Sequence, residues 1–235
     1  MKKFESCFIA ITIAAFILAG FTTACATPTP SSSPQGETPS STQIPQQVQP
    51  IDEQSAEEPT ETAPPTNVPV TKQALFVIYS QFEETEYGKP RTVLEDAGIL
   101  ITVASTSQNI VTGHLGMSVK PDVALSEVNG ADYDAVVLIG GYGYVKDDPE
   151  ASRIVKEAAA AGKVLAAICV APITLAKAGL LKDKQATSSM DPWFLKSEGA
   201  IFVNDNVVRD GLIITANGPA AAQGFGETIV AALQE

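Results

Sequence analysis

Cys169 sits in the run Ala167-Ile168-Cys169-Val170-Ala171-Pro172, with small residues two positions before and two positions after it. A strand-to-helix turn that pushes a nucleophile into a cleft tolerates little bulk at those two positions, so the spacing predicts a nucleophile elbow. Pro172 suits the first turn of the following helix, where a backbone N–H would find no partner. The remaining free N–H groups at a helix start favour a thiolate and predict a lowered thiol pKa. The competing reading is a buried structural cysteine, a common fate for this residue type. A second candidate is Gly140-Gly141, where missing side chains let backbone N–H groups approach a ligand.

The elements that must position these residues are written in the hydropathy pattern. Ala74–Tyr79, Ala135–Ile139 and Val164–Ile168 are unbroken apolar runs, the signature of strands covered on both faces. Ile99–Ala104 reads as a further strand. Helical stretches run from about Glu84 to Ala97, stopped by Gly98, and from Glu150 to Ala161, closed by Gly162. Another helix follows Cys169 through about Ala178, and Phe225–Leu233 closes the chain. Residues 107–130 read as a loop with short strand pieces. Ala200–Asn204 and Leu212–Ala216 read as paired strands around a turn at Arg209-Asp210-Gly211. Strands alternating with helices predict an α/β fold: one doubly wound, mainly parallel sheet sandwiched by helices, in a single domain. Ligands of such sheets bind beyond the carboxyl ends of the strands. Cys169 and Gly140-Gly141 both lie there.

Further motifs accompany these two. Phe82-Glu83-Glu84-Thr85-Glu86 follows the first strand, and Asp132–Leu138 leads into the double glycine. Twenty-five residues separate Gly141 from Ala167, and Val208–Thr215 with Gly218-Pro219 forms a late hairpin and turn. Together they resemble the ThiJ/PfpI family, a flavodoxin-like, class I glutamine amidotransferase-like group. It includes PfpI-type proteases, cofactor-independent glyoxalases and a parkinsonism-associated protein deglycase. The resemblance covers residues 71–235. It implies that Cys169 is the reactive cysteine and that Glu86 is the acid hydrogen-bonded to it, protonated and so raised in pKa. It further implies that backbone N–H groups of Gly141 and Val170 form an oxyanion site. No cofactor, a small-molecule or protein-bound carbonyl substrate, and a homodimer are the corresponding expectations.

One departure from the family pattern bears on activity. PfpI-type proteases carry His directly after the cysteine, where this chain has Val170; deglycases and glyoxalases place a His where Ser189 stands. A serine hydroxyl is no base near neutral pH. The single histidine, His114, lies in Gly113-His114-Leu115-Gly116, far upstream, and reads as a loop histidine outside the catalytic positions. Three functions remain open: thiol chemistry on reactive carbonyls through Cys169 and Glu86, a non-enzymatic redox-sensing or ligand-binding module, and a scaffold without activity. A PfpI-type cysteine peptidase fits less well. Too few ligands of suitable type and spacing are present to predict a metal site. Tyr142, Tyr144 and Trp193 read equally as pocket or packing residues.

The first 70 residues differ in texture. Lys2 and Lys3 precede a short apolar run, Cys7–Phe21, below the ~20 residues that span a bilayer, and then small residues lead to Cys25. Residues 1–24 therefore read as a signal peptide, with an uncleaved anchor as the alternative. Thr23-Ala24-Cys25 resembles a bacterial lipoprotein processing box, which makes Cys25 the lipidated residue and the location extracytoplasmic and membrane-anchored. Residues 25–70, rich in Pro, Ser, Thr, Gln and Glu, cannot bury enough apolar surface to order themselves and form a linker. With Cys7 removed and Cys25 lipidated, Cys169 would be the one free thiol. The net charge of -12 excludes nucleic acid as an expected partner.

Overall fold

Strand β1 (Gln73–Val77) shows why an apolar run without alternation makes a strand here. Ala74, Phe76 and the following Ile78 enter one hydrophobic layer, while Leu75 and Val77 enter another on the opposite face. Period two is intact, but both faces are covered, so neither phase is polar. The computed structural model describes residues 71–235. The expected signal peptide, Cys25 and the expected linker lie outside the described residues.

After β1 come α1 (Glu84–Asp96), β2 (Leu100–Ser105), a small hairpin of β3 (Val111–Thr112) and β4 (Ser118–Val119), and the edge strand β5 (Val123–Ala124). Then follow β6 (Ala135–Leu138), α2 (Pro149–Ala160), β7 (Val164–Ile168), α3 (Pro172–Lys177), β8 (Gln185–Ala186) and α4 (Pro192–Ser197). The chain ends with β9 (Ile201–Phe202), β10 (Val207–Asp210), β11 (Ile213–Ala216) and α5 (Ala222–Leu233). The main sheet has seven strands in the order β10-β11-β7-β6-β1-β2-β5, parallel throughout except for the antiparallel β10–β11 pair. Tyr87 and Leu94 of α1 pack with Phe225 and Ile229 of α5 on one face. Ile154 and Val155 of α2 pack with Ile173 and Leu175 of α3 on the other. The doubly wound, single-domain α/β expectation is thus met.

Each fully buried Leu, Ile or Phe contributes roughly 1.5–3 kcal/mol. Large side chains, among them Phe76, Phe82, Leu94, Leu138, Ile154 and Phe225, are essentially inaccessible. Among the described residues Cys169 is a free thiol and no disulfide exists, so this core carries the stability.

Two local expectations are corrected. Ala200–Asn204 does not pair with Leu212–Ala216: β11 pairs with β10 across the tight turn containing Gly211, and β9 pairs in parallel with β8 in a separate two-stranded sheet. The turn residues at Arg209–Gly211 had been joined to the wrong upstream strand. Helix α4 was not anticipated. It is only one and a half turns long, capped by Asp191, whose carboxylate accepts the Trp193 N–H at 2.8 Å.

The strand order reverses at β1: β2 lies on one side of it and β6 on the other. A crevice opens at such a switch point, beyond the carboxyl ends of the strands. The segments following β1, β6 and β7 converge there.

Candidate active site

Cys169 follows β7 directly and has φ of 66°, a left-handed conformation that costs an L-residue roughly 1–2 kcal/mol. The turn is held from both sides. The Cys169 N–H donates to Ala216 O at the end of β11 (2.9 Å), and Cys169 O accepts the Ser189 N–H (2.9 Å). Pro172 then opens α3, as expected for an elbow.

Glu86 enters from the first turn of α1. Glu83 caps this helix, its carboxylate accepting the Glu86 N–H at 2.6 Å. The Glu86 side chain is completely buried, and neither carboxyl oxygen has a directional hydrogen-bond partner. It faces the thiol across Gly140. A Cβ at that glycine would lie 2.7 Å from Glu86 Oε2 and 2.6 Å from Cys169 Cβ, so only glycine leaves room for the two groups to meet.

Gly141 has φ of 134° and would place a Cβ 2.5 Å from Gln81 O. It forms an antiparallel bridge with Phe82, in which the Glu83 N–H donates to Gly140 O (3.1 Å) and the Tyr142 N–H to Gln81 O (3.0 Å). That pattern leaves the Gly141 N–H outside the ladder.

Burial pushes the Glu86 carboxyl up to about 7; the charge of Glu83 adds to this, while the Cys169 thiol and the backbone at Gly140 pull the other way. Burial also pushes the Cys169 thiol up to about 11, followed by the negative charge of Glu86, against the lowering pull of the Ser189 hydroxyl and the Val170 N–H. The lowered thiol pKa expected from the helix start is therefore corrected. Desolvation and a buried carboxylate outweigh the few N–H dipoles of a helix of six residues. The two groups are coupled, and their last proton belongs to the pair.

A cavity of about 320 Å³ opens over these groups, lined by Glu83, Glu86, His114, Gly141, Tyr142, Cys169, Val170, Ser189 and Pro219. Every site residue expected in the domain is present: Cys169, Glu86, Gly141 and Val170. Ser189 also lines the cavity, with Oγ 3.2 Å from Cys169 Sγ. Tyr142 lines the cavity. Tyr144 is instead buried against Tyr79 and bonded to Thr174 at 2.8 Å, and Trp193 stands exposed on α4.

His114 is the residue that sequence reasoning misplaced. The β3–β4 hairpin folds back onto the loop after β1, through Gln81 N–H to Thr112 O (2.7 Å) and His114 N–H to Phe82 O (3.1 Å). This carries the imidazole into the cavity, where its ring meets Tyr142 edge-on at 5.2 Å. Polar atoms of Glu83, Glu84 and His114 lie within 4.8 Å of one another, the one grouping of metal-ligand type among the described residues. Its oxygens are largely committed, however. Glu83 caps α1, and Glu84 Oε1 accepts the N–H groups of Leu115 (2.6 Å) and Met117 (3.4 Å).

Residues 72–232 match the model of the DJ-1/PfpI family. An uncharacterized protein of Methanocaldococcus jannaschii is 34% identical over 175 residues, covering 72% of this chain and 85% of its own. Deglycase PfpI of Pyrococcus furiosus is 33% identical over 150 residues, covering 62% and 89% respectively. The crystal structure of a ThiJ/PfpI domain protein from Brachyspira murdochii superposes with a TM-score of 0.68 at 31% identity, over 70% of this chain and 97% of that one. With the family model spanning nearly the whole described domain, and relatives and a solved structure above 30% identity covered along most of their own length, the chain belongs to the DJ-1/PfpI family.

Proposed function

We propose that the domain is a cofactor-independent cysteine enzyme acting on reactive carbonyls of the glyoxal type, outside the cytoplasmic membrane. One observation carries this reading: a fully buried carboxyl without hydrogen-bond partners, Glu86, set against a thiol on a strained elbow. A carboxylate poised near neutrality is a suitable proton acceptor. In the proposed step the Cys169 sulfur bonds to the aldehyde carbon as the thiol proton passes to Glu86. The carbonyl oxygen takes up the electron pair beside the N–H groups of Gly141 and Val170 and then receives the proton held by Glu86, giving a hemithioacetal. For an α-oxoaldehyde, the proton of the former aldehyde carbon then passes to the neighbouring carbon and the hemithioacetal hydroxyl proton to the neighbouring oxygen; the product is a thioester, whose hydrolysis releases a 2-hydroxy acid. The similarity to a protein named as a deglycase supports the substrate class.

An oxidant sensor would need a standing thiolate. Burial and Glu86 hold the thiol protonated, whereas attack assisted by a base requires no preformed thiolate, so the carbonyl reading is favoured. The extracytoplasmic location rests on the signal-like start and on Cys25. No described helix is long and apolar enough to cross a membrane, and the proposed attachment is the lipid. Turnover of methylglyoxal by the full-length protein, compared with Cys169→Ala and Glu86→Gln, tests the chemistry. Turnover lost in both variants supports it, and a rate independent of Cys169 overturns it. Retention of Cys25→Ser in the membrane fraction would overturn the lipid attachment.

A further inference from the structure

Glu84 is a buried acid that the proposed chemistry does not use. Its Oε1 is clamped by the hairpin turn, accepting the Leu115 and Met117 N–H groups. The turn approaches so closely that a Cβ at Gly113 would lie 2.4 Å from that oxygen. Oε2 is buried and makes no directional hydrogen bond, and it lies 3.0 Å from His114 Nδ1 as an ion-pair contact. The same Nδ1 lies 3.3 Å from Phe82 O. Both neighbours of Nδ1 are acceptors, so the imidazole proton belongs on Nδ1 and the lone pair on Nε2. Nε2 is the side-chain nitrogen of this cavity-lining residue left without an assigned partner.

We infer that Glu84 and His114 form a carboxylate–imidazole dyad in the cysteine cavity, in which Glu84 fixes the tautomer and His114 Nε2 is the base that activates the water releasing the acyl group from Cys169. The inference rests on the carbonyl reading above. It supplies, from a different loop, the base missing at Val170 and Ser189. Burial disfavours charge on Glu84, but N–H donors from its own backbone, Leu115 and Met117, together with His114, hold it below the usual carboxylate range. The Glu84 carboxylate is therefore present to stabilise the imidazolium that forms. The other ionisable groups lining the cavity are Glu83 and Glu86, the Tyr142 phenol and Cys169, with no Lys or Arg among them. In the step, the water oxygen bonds to the thioester carbon while His114 Nε2 takes one water proton. The S–C bond then breaks, the sulfur keeps its electron pair and recovers a proton from the imidazolium, and the carboxylic acid leaves.

His114 is the single histidine of the chain, which makes it its own spectroscopic probe. In full-length protein labelled with ¹⁵N-histidine, the neutral ring should carry its proton on Nδ1 and leave Nε2 unprotonated. Capping Cys169 with iodoacetamide should shift the Nε2 signal, and Glu84→Gln should weaken the tautomer preference, leaving Phe82 O as the remaining acceptor at Nδ1. His114→Gln should lower kcat for methylglyoxal about 100-fold with little change in KM, and an adduct on Cys169 should accumulate in the intact mass. A proton found on Nε2, or a His114→Gln variant with wild-type kcat and no adduct, overturns the dyad. Loss of all Cys169-dependent turnover in the wild type overturns the carbonyl reading and the catalytic role built on it. The tautomer is read without turnover, so the two failures are distinguishable.

Discussion

The Glu86 carboxyl and the Cys169 thiol meet across Gly140, whose absent side chain leaves the space both occupy. Their proximity, with Glu86 fully buried and Cys169 half-buried, makes them one titrating unit: when Glu86 ionises, its charge opposes ionisation of the thiol.

Gly140→Ala should therefore damage the site. The new methyl group would clash with the Glu86 carboxyl, the Cys169 Cβ and Ile168 O, 2.9 Å away. Overpacking of this kind costs about 1–3 kcal/mol. Thermal unfolding should show the loss, and methylglyoxal turnover should fall with it. Unchanged stability and turnover would mean that the acid and the thiol do not need this contact.

Alkylation of Cys169 against pH should report a thiol that ionises well above the ordinary ~8.5, near the value of about 11. Glu86→Gln removes the neighbouring charge and should lower that midpoint, speeding iodoacetamide reaction at pH 8. A midpoint below 8 in the wild type would restore the thiolate expected from the helix start, and with it the case for an oxidant sensor.

Stability should also follow Glu86. Its folded pKa of about 7 lies above the ordinary value of 4.5, so the native state binds more protons than the unfolded state between those two values. Stability from this group is thus fully present below pH 4.5 and declines as pH rises through 7. The decline is on the order of 3 kcal/mol at one pKa unit per 1.36 kcal/mol. Glu86→Gln mimics the protonated acid and should flatten this part of the curve, as read by urea denaturation at pH 5 and pH 8. Equal pH slopes for wild type and variant would show that the carboxyl is not desolvated.

The sequence made much of this arrangement legible, for identifiable physical reasons. The runs at Ala74–Tyr79, Ala135–Ile139 and Val164–Ile168 could only be strands covered twice, and small residues flanking Cys169 marked the elbow. His114 was missed because its place depends on a hairpin of two-residue strands docking on a loop about thirty positions upstream, through backbone hydrogen bonds that no side-chain pattern encodes. Helix α4 and the β8–β9 pair escaped notice for a related reason: elements this short carry no readable period. The raised thiol pKa was hidden too, because burial of Glu86 is a property of the packed α1 start and not of the Phe82–Glu86 run.

The elbow conformation predicts an unusual order of stabilities at position 169. Glycine in ordinary secondary structure is less stable than alanine by roughly 0.5–1 kcal/mol. At φ of 66°, alanine carries a left-handed penalty of about 1–2 kcal/mol that glycine avoids. The methyl group recovers only about 0.8 kcal/mol by burial. Cys169→Gly should therefore match or exceed Cys169→Ala in urea denaturation. Alanine clearly ahead would show that the turn relaxes when the thiol is gone, making the strain a property of the cysteine and not of the backbone around it.

Substrate charge should discriminate strongly. Glu83 and Glu86 line the cavity, Glu84 stands behind His114, and no Lys or Arg is among the lining residues to offset them. Two charges separated by about 5 Å at an effective dielectric constant of 20 interact by roughly 3 kcal/mol before screening, and 1.4 kcal/mol already corresponds to tenfold in rate. Glyoxylate, an anionic α-oxoaldehyde, should show kcat/KM at least about tenfold below that of neutral methylglyoxal. The ratio should narrow as salt is raised, since the cavity opens to solvent and its charges are partly screened. It should narrow again in Glu83→Gln, although that variant also weakens the α1 cap. Equal rates for the two aldehydes at low salt would mean that the carboxylates do not face the bound substrate, and the placement of the reacting carbon beside Glu86 would have to be abandoned.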